Sequence, residues 1–96
     1  MFVATNKLSV PVEHIDKMKQ AFKSNAPSLT EVPGFLHFEI WTTDDALVSV
    51  SKWENKDAFD AYVKSDLFLQ HHKEYGSQQE HKIQSEMTYY DAEALL

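Results

Sequence analysis

The sequence predicts an α+β domain in which one four-stranded antiparallel sheet carries two helices. Three observations predict it. Four stretches read as strands: Phe2 to Ser9, Phe35 to Trp41, Ala46 to Trp53 and Ile83 to Asp91. Two stretches with apolar residues at three- and four-residue steps separate the first strand from the second and the third from the fourth. Turn-forming residues fall between these segments, at Pro33-Gly34 and at Thr42-Thr43-Asp44-Asp45. With 96 residues, positions 1–96 make a single domain.

In the first strand Phe2, Ala4, Asn6 and Leu8 share one face, and Val3, Thr5 and Lys7 share the other. Pro11 ends that strand and leads into a helix, since a proline is tolerated in a helix's first turn. Ile15, Met18 and Phe22 form its apolar stripe, and Glu13 and Asp16 lie in the first turn, where acids suit the helix dipole. Ser24 to Pro33 reads as the helix end and a loop.

After Pro33-Gly34 the second and third strands form a hairpin closed by the polar Thr42 to Asp45. Asn55 is positioned to cap the second helix, with Phe59, Tyr62 and Val63 on its apolar side. Ser65 can cap a further short helical segment carrying Phe68, Leu69 and His72, or mark only a kink in the same helix. Tyr75 to His81 is a polar loop, and the last strand puts Met87 and Tyr89 on one face. The order is β-α-β-β-α-β, the split βαβ or ferredoxin-like arrangement. That order names an architecture and no activity.

Two helices cover only one face of such a sheet. The second strand nevertheless reads as bulky on both faces, with Phe35 and Trp41 on one and Leu36, Phe38 and Ile40 on the other. Val3, Val48 and Val50 add apolar bulk beside it. A second copy of the same sheet is the simplest cover, so a homodimer is expected.

Composition narrows the partners. Lys+Arg is 9 against 15 Asp+Glu, a formal net charge of −6, which argues against nucleic acid and against anionic membrane surfaces. No apolar run approaches the length of a membrane span. The chain has no cysteine, which excludes disulfides, thiolate metal sites and cysteine nucleophiles. The first residues lack the layout of a secretory signal, so a cytoplasmic location is expected.

Among the candidates for chemistry, Asn6 is anomalous because asparagine is disfavoured in mid-strand. A buried amide needs partners, which can be structural groups, water or a ligand, and small Ala4 beside it leaves room for an approach. Tyr62 carries a phenol that wants a partner if buried; a plain core position is the alternative. Trp53, at the end of a strand, reads as a packing anchor. Of the five histidines, His14 reads as a surface residue, His37 as a hydrogen-bonded sheet residue alternating with Phe35 and Glu39, and His81 as a loop residue. His71 and His72 point about 100° apart on a helix. His72 shares a face with Phe68 and Leu69, where an imidazole can serve as an iron ligand, a proton carrier or a core residue.

Pro33-Gly34-Phe35-Leu36-His37-Phe38-Glu39 and Trp53-Glu54-Asn55-Lys56-Asp57-Ala58-Phe59, followed by Ser65-Asp66-Leu67-Phe68 and His72, resemble the signature segments of the antibiotic biosynthesis monooxygenase (ABM) superfamily. The resemblance covers nearly the whole chain. It implies a dimeric α/β barrel of ferredoxin-like units, each with a pocket between sheet and helices. Within the superfamily the pattern is similar to the IsdG-type heme-degrading monooxygenases. Those enzymes carry an asparagine in the first strand, a tryptophan on the second helix and a histidine after it. Asn6 and His72 fill the first and third positions, while Tyr62 stands where tryptophan is expected. The resemblance implies His72 as axial ligand to heme iron, Asn6 as the polar group near bound dioxygen and Tyr62 as the ring against the macrocycle. The phenol is smaller than an indole and adds a hydroxyl, a departure that bears on porphyrin distortion and on pocket polarity.

Three functions follow from the resemblance. The first is a monooxygenase that binds and degrades heme with dioxygen. The second needs no cofactor and oxygenates a phenolic or quinol substrate that itself reduces dioxygen, with Asn6, Tyr62 and His72 positioning it and moving a proton. The third is a dimeric ligand-binding or stress protein without turnover. The implied ligand is in each case a small aromatic molecule or a porphyrin.

Overall fold

The computed structural model describes residues 1–68 and 85–96. Its elements are β1 (Phe2–Ser9), α1 (Val12–Asn25), a 3-10 helix (Ala26–Glu31), β2 (Phe35–Thr42), β3 (Ala46–Trp53), α2 (Lys56–Val63) and β4 (Ser85–Asp91). All neighbouring strands are antiparallel, in the order β2-β3-β1-β4. This is the ferredoxin-like α+β arrangement expected from the element order.

Local chemistry accounts for the boundaries. The Asn55 side chain accepts the Ala58 N–H at 2.9 Å and so caps α2. Ser65 accepts the Phe68 N–H at 3.2 Å, which starts a new helical turn over residues 66–68 after a break at Lys64. The β2–β3 reversal is closed by Thr43 N–H to the Ala46 carbonyl at 2.9 Å. Among the described residues Gly34 is the one position that needs a glycine, with φ at 81°, and a Cβ there would collide with the Cβ of Ala58. Its carbonyl accepts the Glu54 N–H at 2.8 Å, tying the start of β2 to the end of β3.

The segment from Ser24 to Pro33 is more ordered than a loop. It completes α1 and then forms the 3-10 helix, with Pro27 in its first turn and Leu29 buried beneath it. Buried Leu29 offers this segment an apolar anchor, which its polar neighbours disguise in the sequence.

The two-faced reading of β2 needs a correction. The register between Phe35 and His37 is shifted by a bulge at Leu36. One extra residue moves everything before it to the opposite face. Phe35 therefore joins Phe38 and Ile40 on the helix side, where it meets Trp53 edge-on with ring centroids 5.4 Å apart. His37, Glu39 and Trp41 occupy the open side, and His37 no longer alternates with Phe35. Leu36 is exposed at the bulge.

Two apolar clusters pack between sheet and helices. One holds Phe2, Ala4, Trp53 and Phe59, and the other holds Leu8, Val10, Ile15 and Leu47. Trp53 is fully buried, as its reading as an anchor requires. On the opposite side of the sheet a shallow groove runs over Val3, Val48, Trp41 and Tyr90; Trp41 and Tyr90 are about half exposed.

Candidate functional site

The two core clusters are separated by a pocket of about 390 Å3. Pairing places Ala4 opposite Ser51 and Asn6 opposite Ser49, so the middle of the sheet presents small or polar side chains to the helices. Around this floor stand Phe22 of α1, Phe38 of β2, Phe59 and Tyr62 of α2, Phe68, and Tyr89 of β4. A sheet floor of short side chains beneath a ring of aromatics leaves a space that the described residues do not fill. Its volume falls within the range usual for small-molecule sites.

Asn6 lies at the floor, and its Oδ1 is buried with no hydrogen-bond partner among the described residues. An unpaired buried acceptor costs on the order of 1–3 kcal/mol. Such a group in the centre of a sheet is open to a hydrogen-bond donor from outside the described residues.

Tyr62 reaches the same pocket from α2. Its ring is stacked on Trp53, with centroids 5.1 Å apart and planes 29° apart, and Phe68 meets it edge-on at 5.3 Å. The indole behind it is fixed in turn: Trp53 Nε1–H donates to Ser51 Oγ at 2.9 Å, and Ser51 Oγ donates to the Ala4 carbonyl at 3.4 Å. Tyr62 is thus held at its ring face and ring edge by aromatic neighbours.

The structure brings together two of the three residues singled out from the sequence, Asn6 and Tyr62. His72 lies outside the described residues, as do His71 and His81. His14 and His37 are exposed, the latter 3.4 Å from Glu39 Oε1. Among the described residues no group of three or more His, Asp or Glu could hold a metal ion. Reading the sequence missed Ser49 and Ser51. The signal was available: Leu47 and Trp53 mark the inner face of β3, and the alternation between them puts both serines on it.

Residues 1–74 match the antibiotic biosynthesis monooxygenase family. The chain belongs to that family. Among its ABM relatives is a heme oxygenase (staphylobilin-producing) of Staphylococcus epidermidis, 32% identical over 89 residues that span 86% of this chain and 84% of the relative. A heme-degrading monooxygenase of Listeria monocytogenes is 33% identical over 86 residues, covering 75% of this chain and 69% of that one. The ABM fold of the chain is shared by SnoaB, a cofactor-independent oxygenase from Streptomyces nogalater. The two structures superpose with a TM-score of 0.77 at 20% identity, over 99% of this chain and 95% of the other.

The described lining of this ABM pocket is chemically compatible with a flat aromatic group such as heme. Its walls are aromatic, as a macrocycle's faces require, and the orphaned Asn6 oxygen supplies a polar contact at the floor.

Proposed function

We propose that this chain binds heme between its sheet and helices and degrades it with dioxygen. The observation that carries the reading is the unpartnered, buried Asn6 Oδ1 within an aromatic pocket. Two relatives above 30% identity that are themselves a heme oxygenase and a heme-degrading monooxygenase support it.

Heme, when bound, supplies the iron centre at which dioxygen is activated. The chain supplies the surroundings. Asn6 Oδ1 accepts a hydrogen bond from a donor on the ligand side, and its amide does not titrate, so its polarity is constant with pH. Tyr62, backed by Trp53, presses a ring toward the pocket and fixes how a flat ligand can lie. Phe22, Phe38 and Phe59 exclude water from the bound ligand. His72, by its match to the family pattern, would hold the heme iron.

Titration of the purified chain with hemin, followed by a reductant in air, tests this reading. A Soret band that His72→Ala abolishes, then bleaching of the wild-type complex, is the expected result. Weak hemin binding unaffected by His72→Ala overturns it, and oxygen uptake with small hydroquinones would then point to chemistry without a cofactor. The chain is further proposed to act as a homodimer that pairs its open sheet faces.

A further inference from the structure

The pocket floor holds one polar group more than the proposed function uses. Ser49 of β3 is the direct cross-strand partner of Asn6 of β1. Side chains in such pairs share a face, with Cβ atoms about 4.5–5.5 Å apart. Both residues line the pocket. Ser51, two residues on and alike in sequence, is already engaged by Trp53 and by the Ala4 carbonyl. The Ser49 hydroxyl makes no hydrogen bond with any described residue. Two polar side chains without described partners, an amide oxygen and a hydroxyl, thus stand at opposed positions of neighbouring strands on the floor of a largely apolar cavity.

Their chemistry is complementary. A carbonyl oxygen only accepts, whereas a serine hydroxyl can turn to donate. A small polar ligand between them can give a hydrogen to Asn6 and take one from Ser49. An apolar atom in the same place would leave both groups unpaired, at the cost of their desolvation. We propose that Ser49 is a second positioning residue of this site: its hydroxyl, paired with Asn6, donates a hydrogen bond to the small ligand held at the heme iron. This inference rests on the heme reading and adds to it a donor from the sheet.

The test is fluoride binding to the ferric hemin complex of the full chain, followed in the visible spectrum. Fluoride is a small acceptor and responds to a hydroxyl donor. Ser49→Ala is expected to bind hemin as the wild type does but to bind fluoride about five-fold more weakly, the effect of one lost hydrogen bond. Ser49→Thr, which keeps the hydroxyl, is expected to restore fluoride affinity to within about two-fold. A purely structural role for Ser49 would change hemin affinity or the Soret position in Ser49→Ala and would not be rescued selectively in fluoride binding. Normal hemin binding with unchanged fluoride affinity in Ser49→Ala overturns the inference and leaves the heme reading standing. Failure of the wild-type chain to bind hemin overturns both.

Discussion

The indole of buried Trp53 lies nearly flat behind the phenol ring of Tyr62, with centroids 5.1 Å apart. One residue ends a central strand and the other rides on α2, so this pair couples the sheet to the helix that forms one wall of the pocket. The coupling gives each residue a different expected phenotype. Trp53→Ala removes the centre of an aromatic cluster and is expected to cost about 3–5 kcal/mol in a urea melt. Tyr62→Trp supplies the indole that the heme-degrading pattern carries at this position. It is expected to bleach bound hemin several-fold faster while losing about 1–3 kcal/mol of stability through overpacking against Trp53 and Phe68. Slower bleaching in Tyr62→Trp would mean that ring bulk at this position does not assist turnover.

Asn6 Oδ1 has no partner among the described residues, so removal of the amide is expected to separate stability from function. Asn6→Leu eliminates the orphaned oxygen and should raise the unfolding free energy by about 1 kcal/mol. The same variant should bleach hemin at least ten-fold more slowly, because the polar contact at the floor is gone. Chemical denaturation and single-turnover spectra measure the two effects, and a destabilised Asn6→Leu would show that the amide is satisfied in solution.

Glu39 sits on the open face between Trp41 and His37, and its carboxyl is held below the usual glutamate range. The Trp41 indole N–H, donating at 3.0 Å, is the main cause, and the charges of Lys52 and His37 add to it. A carboxyl lowered by folding contributes stability above its unfolded pKa and loses that contribution as pH falls through its folded pKa. The Trp41 indole proton should therefore shift in an NMR titration with a midpoint below that of a free glutamate, and Glu39→Gln should abolish the step. The Glu39 side chain is more than a third exposed and its partners lie at the surface, so the effect on global stability is expected to be small.

The open face carries half-exposed Trp41 and Tyr90 beside Val3 and Val48. If two sheets pair there, Trp41→Glu places a charge in an apolar contact and should shift the chain to monomer in sedimentation equilibrium. A wild-type chain that sediments as a monomer at tens of micromolar would rule out this interface.

Much of this molecule is legible along the chain. Two-residue alternation identifies the inner face of β1, with Phe2, Ala4, Asn6 and Leu8 together, because a strand's side chains must alternate. Asn55 and Ser65 announce helix starts through side-chain acceptors that need only their local sequence. Asn6 stands out for a similar reason, as a polar residue on a stripe that is otherwise apolar. What the chain order hides is pairing. The bulge at Leu36 reverses the face of Phe35, because register depends on how β2 meets β3 and not on β2 alone. Tyr62 is one tyrosine among four until Trp53 is seen stacked behind it. Ser49 and Ser51 look equivalent until the fold occupies the Ser51 hydroxyl and sets Ser49 opposite Asn6. Local periodicity and capping are properties of neighbours in sequence, so the sequence determines them. A pocket is made by residues that meet from distant segments, so only the tertiary structure decides which of them line it.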